Sequence, residues 1–142
     1  YSPVNVIEAA IKETGDSNLV LLDSPPGTAC SFIQTVAKAD YVVLVTEPTP
    51  FGLSDLKQSV DTLRSMNKSC GVIINKAGLG NNDIYDYLQK ENIPLLMCVP
   101  FDKKIAVIYS NGELLTDLYS DWAAKFYQLY HIIQEKYGNS NN

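Results

Sequence analysis

Residues 19–28 read LVLLDSPPGT, and this stretch decides the fold. Residues 19–22 form a short, continuous apolar run, which is typical of strands that are buried on both faces of a parallel sheet. Asp23 follows directly where the predicted strand ends, and a buried acid there is costly unless a cation or a polar partner compensates it. The stretch therefore predicts a parallel strand that ends at a polar site.

Three further apolar runs repeat this pattern along the chain. They are residues 41–45 (YVVLV), residues 72–74 (VII, extended by Cys70 and Gly71) and residues 95–99 (LLMCV). Because apolar runs that alternate with helical segments form parallel sheets, we expect an α/β fold with a mostly parallel sheet and flanking helices. In such sheets the ligand crevice lies beyond the carboxyl ends of the strands, so the residues that follow each run are the candidate site.

Amphipathic segments separate the apolar runs. Apolar residues at steps of three or four predict helices over residues 53–66 and 83–90. A first helix is predicted to end at Gly15, and a long last helix to end near Gly138. The apolar stripe of that last helix consists of Leu118, Trp122, Phe126, Leu129 and Ile133.

Length and composition exclude several classes of protein. The chain has 142 residues, of which 46% are hydrophobic and 19% charged, so it is neither disordered nor collagen-like. We expect one domain over residues 1–138 and a disordered tail over residues 139–142. Sixteen acids against eleven bases give a net charge of −5, so we expect no general binding to nucleic acid or to an anionic membrane.

The three cysteines follow neither a disulfide framework nor a zinc-binding pattern. This usage favours a reducing, cytoplasmic location. Cys70 and Cys98 lie in predicted strands, where core packing is expected. For Cys30 the pattern favours a small buried residue that opens a helix over a functional thiol that faces a partner.

Polar turns follow the apolar runs. After residues 41–45, Thr46 and Glu47 bring a hydroxyl and an acid to the crevice. After residues 72–74, the Asn75 amide can both donate to and accept from the edge of an adenine or a guanine, and the Lys76 stem can pack along a base.

The last run is followed by a fourth turn, which could line an adenine pocket with the fixed backbone of Pro100. Each of these turns also has a purely structural interpretation. In that interpretation Asp23, Ser54 or Asp102 simply caps the helix that follows it.

Together, LVLLDSPPGT (19–28), VLVTEPTPFGLSDLK (43–57), VIINKAG (72–78) and VPFD (99–102) resemble the MinD/Mrp branch of the deviant P-loop ATPases. The resemblance is strongest to the group that carries an inserted ferredoxin domain with iron–sulfur clusters. It implies a P-loop NTPase-like fold of the MinD type, with ATP and Mg²⁺ as cofactors. It also implies a homodimer and an electron-transfer or iron–sulfur client protein for the parent.

The same resemblance assigns the catalytic residues. It implies that Asp23 holds the magnesium ion through water at the end of the Walker B strand. It further implies that Gly27 and Thr28 belong to a switch loop that moves with the γ-phosphate.

The resemblance also assigns residues to the nucleotide. It implies that Asn75, beside Lys76, reads the adenine edge. The turn from Pro100 to Asp102 would close the base pocket. Thr46 and Glu47 would flank the nucleotide near the dimer interface.

One departure limits these implications. No G-x-x-x-x-G-K-[ST] phosphate loop occurs in the sequence, and the cysteine series of a ferredoxin insert is missing. We expect the chain to be the C-terminal portion of the ATPase module, with the P-loop strand and the insert lying upstream, and we expect no ATP hydrolysis by this portion alone. The alternative is a non-catalytic nucleotide-binding or regulatory interaction module that lacks a P-loop.

Overall fold

The computed structural model describes residues 9–10, 19–24 and 29–140, with side chains up to residue 137. Within these ranges strands and helices alternate. The elements are α1 (Cys30–Ala37), β1 (Val42–Thr46), α2 (Pro50–Ser65), β2 (Cys70–Ala77), α3 (Asp83–Lys90), β3 (Leu95–Pro100), α4 (Lys103–Ser110), α5 (Leu115–Leu118) and α6 (Ser120–Ser140). Ala9 and Ala10 are helical, and the rest of the predicted first helix lies outside the described residues.

The three strands form a parallel sheet in the order β1-β2-β3. The first pair is regular, with Val42 opposite Cys70 and Thr46 opposite Ile74. The pairing of β2 with β3 shifts register near the carboxyl end of β2, between Ile74 and Ala77. The predicted α/β fold with a parallel sheet is confirmed.

The prediction of a strand over residues 19–22 is wrong for the structure as described. These residues form no strand, although they and β1 line the same cavity. A strand exists only where its backbone groups pair with a neighbour, and residues 19–22 have no strand beside them within the described part of the chain. Leu19, Val20 and Leu21 are consequently exposed, and Leu21 retains 86% of its accessible surface.

The core lies on one face of the sheet, beneath α1, α2 and α3. Helix α2 buries Leu56, Val60 and Leu63, which the periodicity of residues 53–66 predicts. These three side chains bridge two clusters of buried residues. One contains Val72, Ile74, Ile84, Leu88 and Ile93, and the other contains Phe32, Val36 and Val42. The buried helix face therefore holds β1 and β2 in one rigid unit.

Helices α4, α5 and α6 follow the sheet. Ile108 of α4 is buried, whereas the apolar stripe predicted for the last helix is only partly covered. Leu118 belongs to α5, and Phe126 of α6 keeps 41% of its accessible surface. Helix α6 extends to Ser140, two residues beyond the predicted end, so residues 139 and 140 are helical and the rest of the predicted tail lies outside the described residues.

The cysteines are less buried than predicted. Cys30 opens α1 but is exposed, and Cys98 of β3 is also exposed. Cys70 is half-buried, and burial raises the pKa of its thiol. All three are free thiols.

Tyr41 precedes β1 and carries a buried polar atom. Its hydroxyl oxygen is buried and has no hydrogen-bond partner among the described residues. Burial, with a smaller contribution from Cys70, raises the pKa of Tyr41 to about 12. An unpaired buried hydroxyl is a cost to the folded state.

Candidate functional site

A cavity of about 1030 Å³ is lined by residues 19–24, by β1 and by residues of α1, α2 and α6. Asp23, Thr46 and Glu47 are among its lining residues. The Asp23 carboxylate is exposed, so it is free to meet a ligand in the cavity. The other two predicted catalytic residues, Gly27 and Thr28, lie outside the described residues.

Threonine hydroxyls fix the loop between β1 and α2. Thr46 Oγ1 donates to the Gly52 carbonyl at 3.1 Å, and Gly52 N–H donates to Thr49 Oγ1 at 3.0 Å. Thr49 is therefore the N-cap of α2, with Pro50 as the first helical residue. The suggestion that Ser54 caps this helix is wrong. The pattern of a threonine before a proline could have identified the correct cap.

A bulge shapes the carboxyl end of β2. Ile74 pairs with Cys98 and Ala77 with Pro100, so Asn75 and Lys76 together oppose a single residue of β3. Lys76 has a φ of 51°, a left-handed conformation that is uncommon for a residue other than glycine. Its N–H donates to Asn75 Oδ1 at 2.9 Å. Bulges of this kind re-aim side chains and are frequent next to active sites.

The bulge connects the loops that follow β1 and β2. Lys76 Nζ lies 2.7 Å from Glu47 Oε1, and both side chains are partly exposed. Gly80 packs so closely against the Pro48 carbonyl that any side chain would overlap it. Glu47 and Lys76, which are both predicted to lie beside the nucleotide, are thus in direct contact. The Gly80 packing is a contact that the sequence does not reveal.

The end of β3 approaches β2 through its backbone. Phe101 N–H donates to the Ala77 carbonyl at 3.0 Å, which brings the Pro100 turn beside the bulge. Asp102 Oδ1 accepts from Lys104 N–H at 2.8 Å and is the N-cap of α4. The helix-capping role for Asp102, which the sequence left open, is thus present in the structure.

The site gathers hard oxygen donors and hydrogen-bonding groups along one edge of the sheet. Carboxylate and hydroxyl oxygens, as in Asp23 and Thr46, suit Mg²⁺, which is usually held by one or two carboxylates together with phosphate oxygens and water. Within the ranges that the structure describes, no group of three or more His, Cys, Asp and Glu side chains could hold a metal by itself. No helix of the described part is both long and apolar enough to cross a lipid bilayer.

Comparisons with known proteins point to one superfamily, although no family model matches the chain. An uncharacterised protein of Methanocaldococcus jannaschii is 32% identical over 94 residues, which is 66% of this chain and 31% of that protein. An iron–sulfur cluster carrier protein of Rickettsia bellii is 32% identical over 103 residues, which is 70% of this chain and 32% of that protein.

Solved structures of MinD proteins have the same fold. The cell division ATPase MinD of Pyrococcus furiosus superposes with a TM-score of 0.73 at 22% identity, over 94% of this chain and 59% of that one. The chain spans about a third of the length of the two curated relatives, the Methanocaldococcus jannaschii protein and the Rickettsia bellii carrier protein. It belongs to the MinD/Mrp superfamily.

Proposed function

We propose that the chain is the nucleotide-binding half of a MinD-like ATPase and supplies its Walker B, switch and adenine-recognition elements. The observation that supports this best is the bulge at the end of β2. It puts Asn75 and Lys76 beside the loops that follow β1 and β3, at the edge where parallel sheets bind ligands.

Asn75 is the proposed reader of the adenine edge. Its Oδ1 accepts the Lys76 N–H, which fixes the plane of the amide while a second lone pair and both Nδ2 hydrogens stay available. An asparagine amide can pair with adenine through N6 and N7 together, so orientation by the backbone favours this base.

Asp23 and Thr46 form the proposed magnesium end of the site. The carboxylate of Asp23 would hold the ion through its water shell, and Thr46 lies at the end of the neighbouring β1 with its hydroxyl oriented by Gly52. A bound Mg²⁺ would supply charge neutralisation for the phosphates. The contribution of this chain is to bring the carboxylate and the hydroxyl to the lining of one cavity.

The activity of the parent is part of the same proposal. Phosphoryl transfer needs phosphate-binding amides and a lysine, which we assign to a P-loop outside these 142 residues. The similarity to a protein named as an iron–sulfur cluster carrier supports a link between this activity and iron–sulfur chemistry. A cytoplasmic homodimer for the parent is part of the proposal.

Replacement of Asn75 by Asp tests the adenine assignment with little change to the loop. Asp keeps an acceptor for the Lys76 N–H but loses the amide donor that adenine N7 requires. We expect Asn75→Asp to weaken binding of Mg·ATP by about 5-fold or more, since loss of such a hydrogen bond costs roughly 1–3 kcal/mol. Isothermal titration calorimetry of the chain with Mg·ATP measures this change.

Asn111→Asp is the matched control, because Asn111 is exposed and lies beyond α4. It introduces the same added charge away from the strand ends and should leave the affinity within about 2-fold, which is about 0.4 kcal/mol. Equal affinities for ATP in the wild type and Asn75→Asp would remove Asn75 from the site.

A further inference from the structure

The loop between β1 and α2 holds the backbone of Glu47 in a fixed place. The Glu47 carbonyl oxygen accepts from Thr49 N–H at 2.8 Å. Gly52 packs against the same oxygen so closely that any side chain at Gly52 would overlap it. Thr46, the last residue of β1, donates from its hydroxyl to the Gly52 carbonyl, so both sides of Glu47 are tied to the start of α2. The Glu47 side chain therefore starts from a rigid point at the strand ends.

The carboxylate of Glu47 has one oxygen paired and one oxygen open. Oε1 lies 2.7 Å from Lys76 Nζ, and the structure gives Oε2 no partner among the described residues. An ionised carboxylate only accepts hydrogen bonds, and Oε2 keeps this capacity for a ligand. An ion pair as exposed as this one contributes little to stability. Its effect here is to orient the carboxylate and to offset its charge, which reduces repulsion of a nearby phosphate.

The ion pair lies between the two ends of the proposed nucleotide site. Asn75, at the end of β2, is proposed to read the base, and Asp23 with Thr46 is proposed to hold the metal. Strands β1 and β2 are neighbours, about 4.8 Å apart. In a nucleotide the ribose joins the base to the phosphates. A nucleotide that extends from β2 toward β1 therefore brings its ribose over the contact between Glu47 and Lys76.

Ribose hydroxyls donate hydrogen bonds, and dinucleotide-binding folds use a carboxylate to accept from the 2′ hydroxyl. We propose that Glu47 reads the ribose of the bound nucleotide, with Oε2 accepting from the 2′ and 3′ hydroxyls and with Lys76 positioning the carboxylate through Oε1. The inference rests on the proposed function, since it takes the base to lie at Asn75. It makes the site selective for ribonucleotides, because an acceptor that faces an analogue without hydroxyls loses water and gains no partner.

Removal of both hydroxyls from the nucleotide tests this assignment. Mg·2′,3′-dideoxy-ATP keeps the base, the phosphates and the metal, so its affinity relative to that of Mg·ATP reports on the ribose alone. In NMR titrations of the chain we expect the dideoxy analogue to bind about 5-fold or more weakly, as for loss of a hydrogen bond to a charged group. In Glu47→Ala, which keeps the carbonyl contacts of the loop, this preference should fall below about 2-fold.

Two variants of Lys76 test its positioning role. Lys76→Met removes the ion pair, and any loss of packing along the base weakens both nucleotides alike, so the ratio of the two affinities still reports on the ribose. The preference should fall below about 3-fold in Lys76→Met and return to about 5-fold in Lys76→Arg, which keeps a cation for Oε1. A preference that Lys76→Met leaves unchanged overturns the positioning role.

Asp61→Ala is the matched control for Glu47→Ala, because Asp61 is exposed near the far end of α2 and its loss removes the same charge. This variant should keep the wild-type preference. Equal affinities for the two nucleotides in the wild type overturn the inference and leave the adenine assignment standing. A preference that survives Glu47→Ala also overturns it, because another group then holds the ribose. Failure of the wild type to bind Mg·ATP at all overturns the proposed function, and this inference with it.

Discussion

At the scale of single residues, the site depends on close backbone packing between two loops. Gly80 has a φ of 72°, and a Cβ there would overlap the Pro48 carbonyl oxygen. Gly78 has a similar positive φ of 96° but open space around it. Substitutions at Gly78 and Gly80 therefore separate two losses of unfolding free energy. One is the cost of a side chain on a left-handed backbone, and the other is the cost of losing the contact between the loops.

Gly78→Ala should therefore cost about 1 kcal/mol of unfolding free energy, the usual penalty for a side chain in a left-handed conformation. Gly80→Ala should cost about 3 kcal/mol or more, because the Pro48 loop must also move. Urea unfolding of the two variants gives the comparison. Equal costs would show that the Gly80 contact with Pro48 is unimportant for stability.

Tyr41 makes stability depend on pH in alkaline solution. Burial favours its neutral form and raises its pKa to about 12 from an ordinary value of 10.0. Above pH 10 the unfolded chain releases this proton and the folded chain retains it, so the free energy of unfolding falls between pH 10 and about 12. Tyr41→Phe should reduce this fall.

At neutral pH the same variant removes a buried hydroxyl that has no partner among the described residues, so it should leave stability unchanged or increase it by about 1 kcal/mol. Tyr109→Phe, at a side chain that is 84% exposed, is the matched control. Urea unfolding at pH 7, 10 and 12 provides the measurement. If the wild type loses stability in alkaline solution and Tyr41→Phe does not reduce that loss, the assignment of the loss to Tyr41 is contradicted.

At the scale of elements, Asp102 is a helix cap in the structure and a proposed neighbour of the nucleotide. Asp102→Ala should destabilise α4 by about 1 kcal/mol, and Asp102→Asn should cost less because an amide oxygen still accepts from Lys104 N–H. Thermal unfolding separates the two variants. Unchanged stability of Asp102→Ala would show that the cap contributes nothing.

Most elements of the sheet and its core helices could be predicted from the sequence, since continuous apolar runs and helical periodicity are local signals. The bulge at Asn75 and Lys76 could not, because the positive φ of Lys76 is imposed by pairing with β3 rather than by residue type. Residues 19–22 have a strand-like sequence, but whether they form a strand depends on a partner and not on their own composition.

The burial of side chains was predicted less well than the elements. Cys98 and Val45 belong to strands with apolar sequences, yet both are exposed. A pattern of residues in one strand cannot show which faces and edges of the sheet are covered by other elements. For the same reason the capping function of Asp102 and its proposed place in a base pocket could not be separated by sequence alone.

At the scale of the whole molecule, the proposed metal position can be tested with Mn²⁺ in place of Mg²⁺. Mn·ATP should broaden the NMR signals of residues near the proposed metal position, above all Asp23 and Thr46, because paramagnetic relaxation falls steeply with distance. Asp23→Asn should abolish most of this broadening while leaving the spectrum of α3 unchanged. Broadening that is the same in the variant would place the metal elsewhere.

The central claim is that the strand ends of this chain form the adenine-recognition half of a nucleotide site. The most direct measurement is a titration of the isotope-labelled chain with Mg·ATP and, separately, with Mg·GTP, followed by amide shifts in NMR spectra. We expect weak binding to Mg·ATP that shifts Thr46, Asn75, Lys76 and Phe101 together, with markedly smaller shifts for Mg·GTP. Equal shifts with both nucleotides, or shifts confined to residues away from the strand ends, would contradict the claim.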